Sequence, residues 1–251
     1  PLVLLRLNYA VELRYGVLYD GVFRYRTHNE YTEGEEHLGN SPSGSSWEIL
    51  IEGVAELVKR GEPCLVFVKD KVESRQVAER LAHRLDLPPA SQALESLQQL
   101  EPTHTRDCLL DLLNRGVAFH NADLSPEERR SIETAFRTEQ ILAMVSTSTL
   151  AVGMNLPAQN VFITADKWQY DNRFGMPWKT PIRRSEYETM GGRAGRLGAG
   201  KPFGRAILIA STPFESETLW RRYIEGDREQ VEPRLAHQPL EDPILRLVAS
   251  C

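Results

Sequence analysis

Hydrophobic positions switch period several times along the chain, and each switch marks an element. Trp47 to Arg60 carries Leu50, Ile51, Val54, Leu57 and Val58 at helical spacing, which predicts an amphipathic helix. Cys64-Leu65-Val66-Phe67-Val68 is an unbroken apolar run, the pattern of a strand covered on both faces. Val72 to Leu85 returns to helical spacing through Val77, Ala78, Leu81, Ala82 and Leu85, and Pro88-Pro89 ends it. Two further helices are predicted over 90–100 and 105–113, as an insertion before the strand Val117-Ala118-Phe119. Ser125-Pro126-Glu127-Glu128 then combines a serine cap, a proline at the first helical position and a glutamate at the third, a helix start. Ile141–Val145, Val161–Ile163 and Ala206–Ile209 are further apolar strands, and 214–225 reads as a closing helix with Phe214, Leu219, Trp220 and Ile224.

The first 46 residues follow another rule. Val17-Leu18-Tyr19 and Val22-Phe23-Arg24-Tyr25 flank Asp20-Gly21, a dipeptide suited to a type I′ turn, so a β-hairpin is expected. Residues 30–36 are acidic and read as exposed, and Asn40 to Ser46 is Ser/Gly/Pro-rich and reads as a linker. From residue 47 onward, strands alternating with helices imply a doubly wound, mostly parallel α/β sheet with ligands at the carboxyl ends of its strands. The expected division is an N-terminal β-hairpin extension with its linker (1–46), an α/β domain (47–232) and the start of a further module (233–251).

Composition narrows the class. The 251 residues are 41% hydrophobic and 26% charged, ordinary for a globular protein. No apolar run reaches the ~20 residues that span a bilayer, and no signal-peptide pattern opens the chain. Three scattered cysteines fit a reducing, cytoplasmic setting and offer no metal-ligand spacing. A net charge of −5 argues against a general nucleic-acid coat, but its distribution is uneven. Residues 173–205 hold eight Lys/Arg against two acids, whereas 212–242 hold eight acids against four arginines. A basic zone in an acidic chain points to a local anionic ligand.

The basic zone contains Tyr187-Glu188-Thr189-Met190-Gly191-Gly192-Arg193-Ala194-Gly195-Arg196-Leu197-Gly198. Glycines permit close approach, and two guanidinium forks three residues apart suit one polyphosphate. Ser146-Thr147-Ser148-Thr149-Leu150-Ala151-Val152-Gly153-Met154-Asn155-Leu156-Pro157 places four hydroxyls after a buried strand. Hydroxyls and backbone N–H groups there can hold phosphate. These two stretches resemble motifs VI and V of superfamily 2 nucleic-acid helicases, and most closely those of the Ski-like DExH group. Residues 63–80, with Lys69, resemble motif IV. His120-Asn121-Ala122-Asp123-Leu124 resembles the group's His-His-Ala-Gly-Leu element, with its second histidine and its glycine replaced. Thr189 stands where motif VI has glutamine.

The resemblance implies the C-terminal RecA-like half of an ATP-dependent DNA or RNA helicase, partnered by an upstream RecA-like domain that holds ATP and Mg²⁺. The opening Pro1-Leu2-Val3, without a methionine, agrees with such a piece of a longer chain. Arg193 and Arg196 would be catalytic fingers. Gly153, Asn155 and Gly192 would line the ATP with them, and Lys69, His120, Thr147, Ser148 and Thr149 would meet single-stranded nucleic acid. After residue 232 the group continues into a winged-helix domain. A non-catalytic nucleic-acid-binding or scaffold module from a degenerate helicase is the alternative. Gly195-x4-Gly200-Lys201 imitates a P-loop, but Pro202 removes both the metal-binding hydroxyl and an N–H. Neither that cradle nor an Asp-Glu box is present, so no metal site is expected here and the fragment alone is expected to be inactive.

Overall fold

The computed structural model describes residues 11–39, 44–148, 156, 158–170, 177–195 and 202–227. An eight-stranded sheet runs in the order β3-β2-β1-β10-β7-β4-β6-β5. Its members are β1 (Glu12–Tyr19), β2 (Val22–Thr27), β3 (Glu33–His37), β4 (Cys64–Val68), β5 (Val117–His120), β6 (Ala143–Thr147), β7 (Asn160–Ile163) and β10 (Phe203–Ile209). From β1 to β5 every neighbouring pair is parallel, and β2 and β3 add an antiparallel edge. The central strands β4 and β7 are buried along their whole length, which is why they read as unbroken apolar runs.

Helices α1 (Ser46–Lys59), α2 (Lys71–Arg84), α3 (Ser91–Gln98), α4 (His104–Leu113), α5 (Pro126–Arg137), α6 (Arg184–Gly191) and α7 (Pro213–Leu219) flank the sheet. The alternation read from residue 47 onward is thus a RecA-like α/β fold, and the inserted pair is α3 and α4. The helix start at Ser125 is present with its capping box: Glu128 N–H donates to the Ser125 hydroxyl at 3.1 Å and Ser125 N–H to the Glu128 carboxylate at 2.7 Å.

Three details come from the tertiary structure. The acidic stretch 30–36 includes the strand β3, whose sequence Glu-Gly-Glu-Glu-His carries no strand propensity. Its backbone is paired by β2, and its Glu36 is held by Arg205. The N-terminal hairpin extends the sheet of the α/β domain, with β1 parallel beside β10. The closing helix is α7 followed by a π-helical turn, Trp220–Glu225, which buries Trp220, Tyr223 and Ile224 together.

One element escaped the sequence altogether. Strands β8 (Asp166–Tyr170) and β9 (Pro177–Pro181) form a separate two-stranded antiparallel sheet between the two phosphate-type motifs. The linker residues 40–43 and the expected module 233–251 lie outside the described residues. No described helix is long and apolar enough to cross a membrane.

Candidate nucleotide and nucleic-acid interface

The site residues divide between the two ends of the sheet. At the carboxyl end, β4, β6 and β5 are neighbours, with Val68 beside Thr147 and Ser146 beside His120. Lys69, Thr147–Ser148 and the loop after His120 therefore emerge side by side, although they are separated by up to about 80 positions in sequence. Parallel register creates this neighbourhood, because each strand delivers its following loop to the same edge.

Each of these residues has its own setting. Asp70 caps α2 by accepting from Glu73 N–H at 2.8 Å, and its other oxygen accepts from Trp168 Nε1 at 2.9 Å. Lys69 Nζ donates to Glu73 Oε1 at 2.9 Å, while Lys69 N–H donates to the same carboxylate. Burial opposes the ammonium charge, but the Glu73 hydrogen bond and charge prevail and hold its pKa above the ordinary lysine value. Lys69 is thus engaged within the fold rather than presented bare to a phosphate. His120 departs further from its expected contact. Its ring is wholly buried, Nε2 pairs with Glu133 at 2.9 Å, and burial lowers its pKa. A side chain at zero exposure cannot touch a strand, so in this geometry His120 belongs to the core. Thr147 is buried at the end of β6, and Ser148 beyond it is half-buried. Thr149 lies outside the described residues.

A cavity of about 510 Å³ opens at the carboxyl ends of β4, β7 and β10. Lys69, Thr164, Asp166, Lys179 and Arg222 contribute to its wall, with Trp47 of α1. Hairpin β8–β9 closes one side, and Lys179 Nζ stands 3.7 Å from Asp166.

The arginine motif is at the other end of the sheet. Helix α6 starts near the carboxyl edge, where Ile182 N–H donates to Ala165, and runs back antiparallel to β7 and β10. Tyr187 fixes it: the phenol donates to the Ala206 carbonyl at 3.1 Å, and the ring packs on Tyr223. Gly192 is the C-cap of α6, and Arg193 follows with 4% exposure. Ala158 N–H donates to the Arg193 carbonyl at 3.2 Å, and Gly195 N–H donates to the Ala158 carbonyl at 2.9 Å. This two-bond bridge ties the arginine turn to the segment that enters β7, directly after the hydroxyl-rich motif. The turn rests on Gly204 at the start of β10. Arg193 is thus delivered to the end of the sheet opposite Thr147, because α6 runs antiparallel to the strands. Gly153, Asn155 and Arg196 lie outside the described residues.

Tertiary pairing trims the basic zone. Within the basic zone Arg184 pairs with Glu188, Lys179 with Asp166 and Arg205 with Glu36 and Glu62, while Lys167 beside it pairs with Glu186. Of these, Lys179 and Arg205 are paired with acids outside the zone, whereas Glu186 and Glu188 lie within it. Thr189 turns its hydroxyl back to the Ser185 carbonyl at 2.7 Å, on an exposed face of α6. Among the described residues no group of three or more His, Cys, Asp and Glu side chains is arranged to hold a metal ion.

A RecA-like α/β sheet, with one motif at its strand ends and an arginine turn bridged to it from behind, defines a superfamily 2 helicase C-terminal domain. The pattern of the family described as "Helicase conserved C-terminal domain" matches residues 46–198, and the chain belongs to that family. It is 35% identical over 235 residues to the ATP-dependent DNA helicase Hel308 of Pyrobaculum calidifontis, covering 91% of this chain and 31% of that protein. It is 34% identical over 245 residues to the protein of the same name from Pyrococcus horikoshii, covering 96% of this chain and 31% of that protein. A third, from Methanocella arvoryzae, is 37% identical over 193 residues, with 74% and 25% covered. The chain thus spans about a third or less of the length of these relatives.

Proposed function

We propose that this chain is the second motor domain of an ATP-dependent helicase of the Ski-like group, acting on single-stranded DNA in the cytoplasm. The observation that carries the reading is the bridge of Ala158 to Arg193 and Gly195. It couples the segment after the hydroxyl motif to the turn that leads into Arg196, so a shift at one is felt at the other. The DNA preference rests on the names of the relatives.

In this reading an upstream RecA-like domain cradles ATP and holds Mg²⁺. Arg193 and Arg196 approach the phosphates from this domain, with Gly192, Gly153 and Asn155 beside them. Charge builds on the γ-phosphoryl oxygens as the bond to ADP breaks, and a guanidinium fork stabilises it. Thr147, Ser148 and Thr149 meet the strand backbone at the carboxyl edge, and Lys69 joins them only if it leaves Glu73. Closure of the two domains grips ATP and strand together, and hydrolysis releases the grip. Residues 233–251 begin a following winged-helix-like module.

The test is single-turnover hydrolysis by the full-length protein at saturating ATP and DNA. Arg196→Ala should lower the rate by ~10³–10⁵, the usual contribution of such a finger. Arg196→Lys keeps the charge but loses the fork, so it should resemble the alanine variant. ATP binding should fall far less than turnover. Near-normal turnover in a folded Arg196→Ala protein would sink the proposal.

A further inference from the structure

Asp123 stands three residues beyond the end of β5, and it reaches across to α2. One carboxylate oxygen takes Lys71 Nζ, and the other takes Arg75 Nη2 at 3.1 Å. Lys71 and Arg75 are four residues apart, so they lie on the same face of α2, Lys71 directly after its Asp70 cap. Each oxygen of a single anion thus serves one cation, as two oxygens of a backbone phosphate would.

The loop is held in that pose from behind. Buried Asn121 donates to Ser74 Oγ at 3.1 Å, and its own carbonyl oxygen accepts from Asp123 N–H at 3.0 Å. Asn121 and Asp123 are the two positions at which this element departs from the resembled pattern. One departure seats the loop on α2, and the other supplies the carboxylate. In the sheet β6 lies between β4 and β5, so the clamp stands beside the strand end that carries Thr147 and Ser148. All three charged side chains reach solvent, Lys71 most of all at 51%. Exposed ion pairs of this kind contribute little to stability, so a competing anion can open the clamp readily.

We propose that Asp123 is a built-in competitor for nucleic-acid phosphate, neutralising Lys71 and Arg75 until a strand displaces it, and so limiting how tightly this domain holds its track. The proposal rests on the reading of the carboxyl edge as the strand-binding face. The ligand group is the phosphodiester, which DNA and RNA share.

The experiment is fluorescence anisotropy of this chain with labelled single-stranded DNA and RNA oligonucleotides of one sequence, titrated with salt. Asp123→Asn should bind about fivefold or more tightly at low salt. Its log–log salt slope should stay close to that of the wild type, because the bound strand meets Lys71 and Arg75 in both proteins; a slope steeper by about 1.4, two contacts on a single strand, would mean that Asp123 is never displaced and overturns the competitor. Asp123→Ser should match Asp123→Asn, and thermal unfolding of each variant verifies the fold. In a Lys71→Gln, Arg75→Gln background the gain from Asp123→Asn should vanish. A gain that persists there comes from the general field of the carboxylate and overturns the proposal. The gain should be equal on DNA and RNA, and a gain confined to one overturns phosphate as the contacted group. Wild-type binding with no gain in either Asp123 variant overturns the competitor and leaves the strand-binding face standing. No binding by any variant overturns both.

Discussion

Gly204 lies directly beneath Gly195. A Cβ on Gly204 would stand 2.3 Å from the Gly195 nitrogen and 2.6 Å from its Cα, and Gly195 itself has φ +66°. The arginine turn is therefore seated on bare backbone at the start of β10, and only a glycine below permits that approach.

Gly204→Ala should lift the turn and weaken the bridge to Ala158. Overpacking of this kind costs about 1–3 kcal/mol. Urea denaturation of this chain should show the loss. In the full-length protein, ATP turnover should fall more than ATP binding. Unchanged stability would show that the turn can shift without penalty.

At the same end of the sheet, Arg205 forms a bidentate pair with Glu36, at 2.9 and 2.7 Å, and also bonds Glu62 and Asn160. Arg205 is 2% exposed, so Glu36→Gln leaves a buried charge half-compensated. Breaking such a pair costs roughly 3–5 kcal/mol where burial is complete, and Glu36, at 19% exposure, should fall at or below that range. Burial alone would raise the Glu36 pKa, but Arg205 and Arg60 outweigh it and hold the carboxyl below its ordinary value. The unfolded state then binds the proton first. The contribution is whole above the unfolded pKa and is lost as pH falls through the folded one, below pH about 4. Glu36→Gln should flatten that part of the acid-denaturation profile.

His120 supplies a second, milder slope. Its folded pKa is depressed by burial, so the unfolded chain protonates first as pH drops below about 6.5. Stability should decline from there until the folded pKa is passed. His120→Gln should remove this slope, as read by thermal melts between pH 7 and pH 5. A slope that survives the substitution would assign the titration elsewhere.

Phosphate release by this chain alone, with or without nucleic acid, should equal the no-protein background. The P-loop imitation ends in Pro202, which supplies neither the metal-binding hydroxyl nor an N–H. Turnover that survives repurification would contradict this.

The sequence alone determined the elements whose stability is local or whose pattern is one-dimensional. Unbroken apolar runs announced β4 and β7, helical spacing announced α1 and α2, and the cap at Ser125 announced α5. The hydroxyl-rich and arginine stretches stood out in the sequence alike, because residue type and glycine spacing mark them without reference to anything distant. Tertiary structure decided what depends on partners far along the chain. Strand β3 exists because β2 pairs it and Arg205, 169 positions away, holds its Glu36. Lys69 and His120 read as ligand contacts because their place at strand ends was visible and their acidic partners were not. The hairpin β8–β9 showed no alternation of its own. The direction of α6, which sends the arginine turn to the opposite edge from Thr147, follows from packing on β7 and β10. No local pattern encodes a choice of edge, since it is set by how a helix returns across a sheet it has not yet met.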